Sequence, residues 1–221
     1  MNAEHLKLME TLGAQGKAFG EFGERYFTAA FLMHGHLCGG MPLGFRAGVA
    51  ALKALGRERE ADMGQIALVE TGLGHAAGCF ADGVQLSTGC TFGKGLIRRT
   101  GYGKWAVTLV VRATRRAVRV SVRPEVMEAS FQSPFIQLRR AGTPPSQVPL
   151  EVSRPLVENL LAQSDEALFS IARLEQYPVP ASPPSTFETV RCSVCDELVA
   201  ENKIRLKHGQ PVCAPCSGYD G

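Results

Sequence analysis

Apolar residues recur at three- and four-residue steps through Leu6, Met9, Leu12, Phe19, Phe22, Tyr26, Phe27 and Ala30. That spacing puts them on one side of a helix, and Gly13 and Gly16 predict a break in it. The pattern runs into Met33-His34-Gly35-His36-Leu37-Cys38-Gly39-Gly40. Pro42 then falls where a first-turn helix proline belongs, and a helix is predicted over residues 43–55. Its Gly44, Ala47, Gly48 and Ala51 leave a smooth side that another element can approach closely. Residues 64–70 (GQIALVE) read as a short buried strand, and 79–87 as a helix ending at Gly89-Cys90. Two strands follow, over 105–111 and 118–122, with 112–116 as the hairpin connection. In the second, Val118, Val120 and Val122 share one face and Arg119, Ser121 and Arg123 the other.

Prolines interrupt the pattern from residue 133 to 155. A short helix is expected over 156–161, while periodicity does not choose between strand and helix for 168–174. Pro178, Pro180, Pro183 and Pro184 then form an extended, semi-rigid linker. The chain therefore divides into a core domain (1–176), a proline-rich linker (177–190) and a small C-terminal module (191–221).

Composition narrows the class. At 221 residues and 45% hydrophobic, the chain can bury a sizeable core, which excludes global disorder. Aromatics are 7% and glycines number 24, so close backbone packing is expected rather than a core of large rings. The net charge of +3 says little, but its distribution says more. Between Gly83 and Pro124 stand Lys94, Arg98, Arg99, Lys104, Arg112, Arg115, Arg116, Arg119 and Arg123, with no acidic residue. This run suits an anionic ligand or a partner; without interleaved aromatics it is poor support for a nucleic-acid interface. The N-terminus lacks the basic start and apolar run of a signal peptide, and no stretch reaches membrane-spanning length. A cytoplasmic location and no membrane are expected. Seven cysteines do not make a disulfide framework and suit a reducing compartment.

Four of those cysteines make the strongest pattern in the chain. Cys192-Ser-Val-Cys195 is followed, after 17 intervening residues, by Cys213-Ala-Pro-Cys216. Two such knuckles present four thiolates as the tetrahedral cage zinc prefers, a rubredoxin-type iron site being the alternative. Between them, 203–206 can pair with 210–212 across His208-Gly209. A module of about 30 residues cannot bury enough apolar surface to fold alone, so the metal supplies its folding free energy.

A second cluster lies in the core domain. His34, His36 and Cys38 alternate, and in an extended segment alternate residues point to one side. Three ligands could thus converge on one metal of unknown identity, or Cys38 could be a reactive thiol, its thiolate favoured by the start of the following helix. Cys79, Asp82 and Gln85 fall three apart on one helix side, and Cys90 follows at its end. Lys94, between two glycines, resembles an anion-gripping loop without the spacing of a nucleotide P-loop.

Together these segments resemble the E-subunit family of formylmethanofuran dehydrogenase. The resemblance rests on HGHLCGGMPLGFRAG at 34–48, on Cys79-x-x-Asp82-x-x-Gln85-x-x-x-Gly89-Cys90-Thr91-x-Gly93-Lys94-Gly95, and on Gly101-Tyr102-Gly103-Lys104. It implies an α+β core, helices packed on a mainly antiparallel sheet, with the four-cysteine tail as a zinc-ribbon or treble-clef-like module. It also implies a homodimer and a metal site drawn from His34, His36, Cys38, Cys79 and Cys90, with Asp82, Gln85 and Lys94 as ligand- or anion-binding neighbours. Two departures stand out. Gly39 occupies the position where the family usually has proline, and the stretch before Cys79 is longer, glycine-rich and adds His75.

Three functions compete. The first is a metal-binding accessory to a molybdenum or tungsten enzyme or its one-carbon pathway, the basic run facing an anionic cofactor or that partner enzyme. The second is a stand-alone metal-dependent enzyme, hydrolytic or redox, with Glu70 or Asp82 as the nearest base. A nucleic-acid-binding zinc protein is the least favoured. No pterin or formyl-transfer chemistry can be read from the residues. A fragment starting near Thr186 is expected to hold about one zinc per chain by elemental analysis and to lose its folded circular-dichroism signal when chelated. A metal-free fragment that stays folded would overturn that expectation.

Overall fold

The computed structural model describes residues 3–74, 76–181 and 184–219. Ser182 and Pro183 of the linker, and the last two residues of the module, lie outside the described residues. The chain divides into two compact units, Met1–Val179 and Pro180–Gly221.

In the first unit, the amphipathic run becomes two helices, α1 (Ala3–Gly13) and α2 (Gly23–His34), separated by a 3-10 turn over Ala14–Phe19. The break falls where the glycines predict it. Next come α3 (Gly40–Leu55), β1 (Gln65–Val69), α4 (Gly78–Thr88), β2 (Ile97–Arg99), β3 (Ala106–Val111) and β4 (Ala117–Val122). The remainder is α5 (Pro124–Phe131), α6 (Pro134–Arg140), α7 (Leu150–Ala162), α8 (Asp165–Leu168) and β5 (Phe169–Leu174). The five strands form one sheet in the order β2-β1-β3-β4-β5. β1 and β2 are parallel and every other pair is antiparallel. The architecture is α+β.

Helix α3 is the hub. It is buried along most of its length and packs between the sheet and the other helices. On its sheet side lie Val107, Leu109, Val118 and Val120, with Phe80 and Val84 of α4 in the same cluster. On its other side Met41 and Phe45 join Phe27 and Phe31 of α2, with the Phe27 and Phe45 rings 4.7 Å apart. Burying each such large side chain contributes about 1.5–3 kcal/mol. The opposite sheet face, Ile66, Leu68, Val110 and Ala117, is covered by Leu174, Tyr177 and Val179. With both faces buried, β1 reads as a continuous apolar run rather than an alternating one.

Two side-chain features complete the frame. Buried Arg46 reaches from α3 to the end of α7, donating through Nη1 to the carbonyls of Leu160 and Gln163 (2.7 Å each) and through Nη2 to Asp165 (2.6 Å). It thereby satisfies carbonyls that a helix end leaves unpaired. Glu70, also buried, pairs in bidentate fashion with Arg119 at 2.6 and 2.9 Å.

The region read as proline-interrupted is largely helical, which corrects that expectation. Pro134 occupies the first turn of α6, where a missing N–H costs nothing, as Pro124 does in α5 just before that region. Ser133 caps α6 by accepting from the Ile136 amide. Helix α7 begins at Leu150, so the helix expected over 156–161 is longer, with Pro155 inside it at the loss of one backbone bond. Residues 169–174 are strand.

The second unit is a pair of hairpins and a short helix: β6 (Thr189–Arg191) with β7 (Leu198–Ala200), β8 (Arg205–Lys207) with β9 (Gln210–Val212), then α9 (Ala214–Ser217). The β8–β9 turn places His208 and Gly209 at φ 51° and 76°, the left-handed pair that tight hairpins require. Its buried centre is Cys192, Val212 and Cys213.

The closest helix crossing is between α3 and α4. A Cβ on Gly44 would stand 1.9 Å from the Phe80 carbonyl oxygen, and one on Gly83 would stand 2.1 Å from that of Met41. Both obstacles are backbone, so neither can yield cheaply. Gly44→Ala is expected to destabilise the first unit by about 3 kcal/mol. Gly78→Ala, where a Cβ meets nothing within 4 Å, is expected to stay within about 1 kcal/mol of the parent. Urea unfolding of the three proteins measures both; equal midpoints for the two variants would refute the close-packing account.

Candidate metal centre

Three of the ligands come from the turn between α2 and α3. His34 is the last residue of α2, and Gly35 closes that helix in a left-handed conformation (φ 81°), its amide bonded to the Phe31 carbonyl at 3.0 Å. The reversal brings His36 back beside His34, with ring centroids 4.1 Å apart. Cys38 follows at the start of α3, buried, with the Gly40 and Met41 amides hydrogen-bonding its sulfur. Convergence thus comes from a helix end and a glycine reversal, not from alternation in an extended strand.

The fourth ligand is Cys79, in the first turn of α4. The α3–α4 crossing delivers it: a Cβ on Gly40 would already stand 3.0 Å from the Cys79 Cβ. The Nε2 atoms of His34 and His36 are 3.1 Å apart, Cys38 Sγ is 3.4 Å from His34 Nε2, and Cys79 Sγ is 3.9 Å from His36 Nε2. All four donor atoms lie within 4.8 Å of one another. A tetrahedral ion with bonds of about 2.0–2.3 Å holds its donors about 3.3–3.8 Å apart, so the donor set fits one such ion of the zinc type.

Asp82, one turn along α4, holds His34 from behind: its Oδ2 lies 2.8 Å from Nδ1. A proton on Nδ1 leaves the Nε2 lone pair aimed at the cluster centre, the usual carboxylate–histidine support of a ligating imidazole. Electrostatics agree. Burial pulls the His34 imidazolium down, but bonds to Asp82 and Cys79 and their charges outweigh it and raise its pKa to about 9. Cys79 is pushed far down, chiefly by its hydrogen bond to Cys38 and further by the two histidines. Cys38 is pushed up by the same pairing and by burial. Without a cation His34, Cys38 and Cys79 hold mixed protonation states, and a metal must displace protons to bind them.

The structure separates the other expected residues from this cluster. Cys90 lies beyond the opposite end of α4, whose 11 residues rise about 16 Å. It is fully buried in the sheet-side core, its amide bonded to Thr88 Oγ1 at 3.2 Å, and burial pushes its thiol up to about 11. It does not belong to the centre. Gln85 and Lys94 serve the loop at that same end. Gln85 accepts from the Phe92 amide at 2.6 Å, and the Lys94 ammonium donates to the Glu60 and Ala61 carbonyls at 3.0 and 3.3 Å. Of the three expected anion-binding neighbours, Asp82 alone touches the metal cluster. His75 lies outside the described residues.

A cavity of about 420 Å³ opens against His36, Cys38 and Cys79, walled largely by α5, α6 and Trp105. Sequence reasoning missed α6 in this wall because it read the prolines from residue 133 onward as breaks, and it assigned no element to α5. The Ser133-Pro134 pair, a helix cap followed by a first-turn proline, was the signal available.

In the second unit Cys192, Cys195, Cys213 and Cys216 converge within the same 4.8 Å limit, with Cys195 and Cys213 sulfurs 3.9 Å apart. The Cys213 amide donates to Cys192 Sγ at 3.3 Å, and the Cys216 amide to Cys213 Sγ at 3.4 Å. Backbone amides lower Cys192 to about 6, while the neighbouring sulfur of Cys213 and desolvation lead in raising Cys216 to about 12. Four sulfurs this close cannot all ionise unless a cation joins them, and their spacing also fits tetrahedral coordination.

Fold and sites together define an α+β metal-binding protein with a four-cysteine C-terminal cluster. The chain belongs to the FmdE family: the model described as "FmdE, Molybdenum formylmethanofuran dehydrogenase operon" matches residues 33–170. It is 32% identical over 204 residues to a probable S-adenosyl-L-methionine-binding protein of Archaeoglobus fulgidus, covering 88% of this chain and 53% of that one. The chain thus spans about half the length of that relative. Its fold is similar to the crystal structure of a tungsten formylmethanofuran dehydrogenase FmdE-like protein from Syntrophus aciditrophicus, with a TM-score of 0.57 and 22% identity, covering 88% of this chain and 91% of that one. Among the described residues no helix is long and apolar enough to cross a membrane.

Replacing Cys38 by Ser is expected to lower the metal content of the full chain from two ions to one, with the fold kept. Asp82→Asn is expected to weaken the core site about 10–100-fold, and Cys90→Ser to leave the stoichiometry unchanged. Elemental analysis and chelator competition check all three; full metal content in the Cys38 variant would remove the core site.

Proposed function

We propose that this protein is a metal-holding accessory to a molybdenum or tungsten enzyme of one-carbon metabolism, with a zinc-type ion in each unit. The observation that carries the reading is the convergence of His34, His36, Cys38 and Cys79. Four protein ligands fill a tetrahedral shell, whereas a catalytic ion keeps a position open. The two carboxylates closest to a base role are already engaged, Asp82 with His34 and Glu70 with Arg119. The family's operon description supports the link to a molybdenum enzyme. Seven free thiols support a reducing, cytoplasmic setting, and the family resemblance supports a homodimer.

A stand-alone enzyme is the second reading. The cavity ending on His36 and Cys79 favours it, because those are the ligands a bound molecule would meet. The nucleic-acid reading has no such support. Much of the basic run is occupied internally: Arg119 with Glu70, Arg123 on the Glu166 carbonyl, Arg115 on the Tyr177 carbonyl, Lys94 on Glu60 and Ala61.

The test is genetic. In a host making a molybdenum or tungsten formylmethanofuran dehydrogenase, removing this protein is expected to lower that enzyme's activity at least several-fold. The parent chain should restore it and the Cys79→Ser variant should not. Unchanged enzyme activity without the protein would defeat the accessory role and leave the second reading.

A further inference from the structure

The cavity beside the core centre has a composition that neither metal binding nor folding requires. Its wall is apolar, built from Leu43, Trp105, Met127, Phe131, Ile136 and Leu156. Its two permanent charges are both positive, Arg139 and Arg140, and no carboxylate lines it among the described residues. Arg139 is held in place, its Nη1 donating to the Thr143 carbonyl. Arg140 is exposed and makes no hydrogen bond or ion pair among the described residues. The end of α6 favours cations nearby, which accounts for basic residues there. It does not account for two of them bordering an apolar cavity without a counter-charge.

We propose that this cavity binds a small organic anion: an aromatic or branched apolar body against Trp105, its acidic group at Arg139 and Arg140, and its far end against His36 and Cys79. The last contact alone rests on the metal-centre reading. The volume of about 420 Å³ is that of a small-molecule site, too small for a folded partner. A guanidinium beside apolar walls attracts an anion more strongly than it would in water, and a cation of the same shape is repelled.

The chain has one tryptophan, and it stands in this wall, so its fluorescence reports occupancy directly. Full-length protein of measured metal content is titrated with 8-anilino-1-naphthalenesulfonate and, separately, with N-phenyl-1-naphthylamine, the same rings without the sulfonate. One sulfonate probe per chain is expected to quench Trp105 and to bind at least about fivefold tighter than the neutral one. Arg140→Gln should cut that preference at least about twofold, Arg139 holding the remainder, while leaving neutral-probe binding and metal content unchanged. Arg140 is exposed, so the variant is expected to fold. Equal affinity for the two probes, or an Arg140→Gln variant that keeps the full preference, overturns the proposal; with metal content intact, the metal-centre reading survives. Protein that lacks the core metal yet prefers the sulfonate supports the anion site and defeats the metal-centre reading instead.

Discussion

The core domain depends on one contact between backbones. α3 and α4 approach until the positions of Gly44 and Gly83 have no room for a Cβ. No side-chain repacking can substitute for that approach, because the obstructing atoms are the carbonyls of Phe80 and Met41. The crossing seats Phe80 and Val84 in the sheet-side core with the other buried residues of α3. It also sets Cys79 against the segment that carries the other three ligands. A larger residue at either glycine would therefore disturb packing and coordination together.

Around that crossing, polar chemistry is sorted by position along α4. At its start, Cys79 and Asp82 face the histidines, and charge, lone pairs and hydrogen bonds converge on one point. At its end, Thr88, Cys90, Gln85 and Lys94 are used to hold a loop, with every named bond closing on backbone. One helix thus carries a chemical end and a structural end. The cavity belongs to the first, where α5 and α6 leave apolar surface and two arginines beside the ligands.

The sequence revealed different parts of this arrangement with different clarity. The double CxxC spacing identifies its cluster without further help, because each knuckle is local and metal-binding modules tolerate little variation in it. His34, His36 and Cys38 were also visible, but for a partly mistaken reason, since their convergence comes from the left-handed Gly35 at a helix end. Cys90 was placed in the centre by the family resemblance, against the helix already expected between it and Cys79, and the length of that helix is what keeps the two apart. Strand β2 escaped notice because three residues, two of them Arg98 and Arg99, show no alternation. Edge strand β5 was ambiguous for a related reason: most of its residues are exposed, so no buried period marks it. Helix α6 was lost to a reading of proline as a terminator where it acts as an initiator, and α5, just before that stretch, was given no element.

The spacing of the core ligands has a topological consequence. Cys38 and Cys79 are separated by all of α3, all of β1 and the loops between. An ion bound to both closes a covalent-strength ring of about 40 residues. By analogy with a disulfide of that span, the ring would remove about 4 kcal/mol of entropy from the unfolded chain. Unlike a disulfide, this tie needs no oxidant and opens when the ion leaves. A bound ion would therefore cross-link the hub of the fold reversibly and without sulfur–sulfur chemistry, so how tightly that hub is held would vary with occupancy of the site.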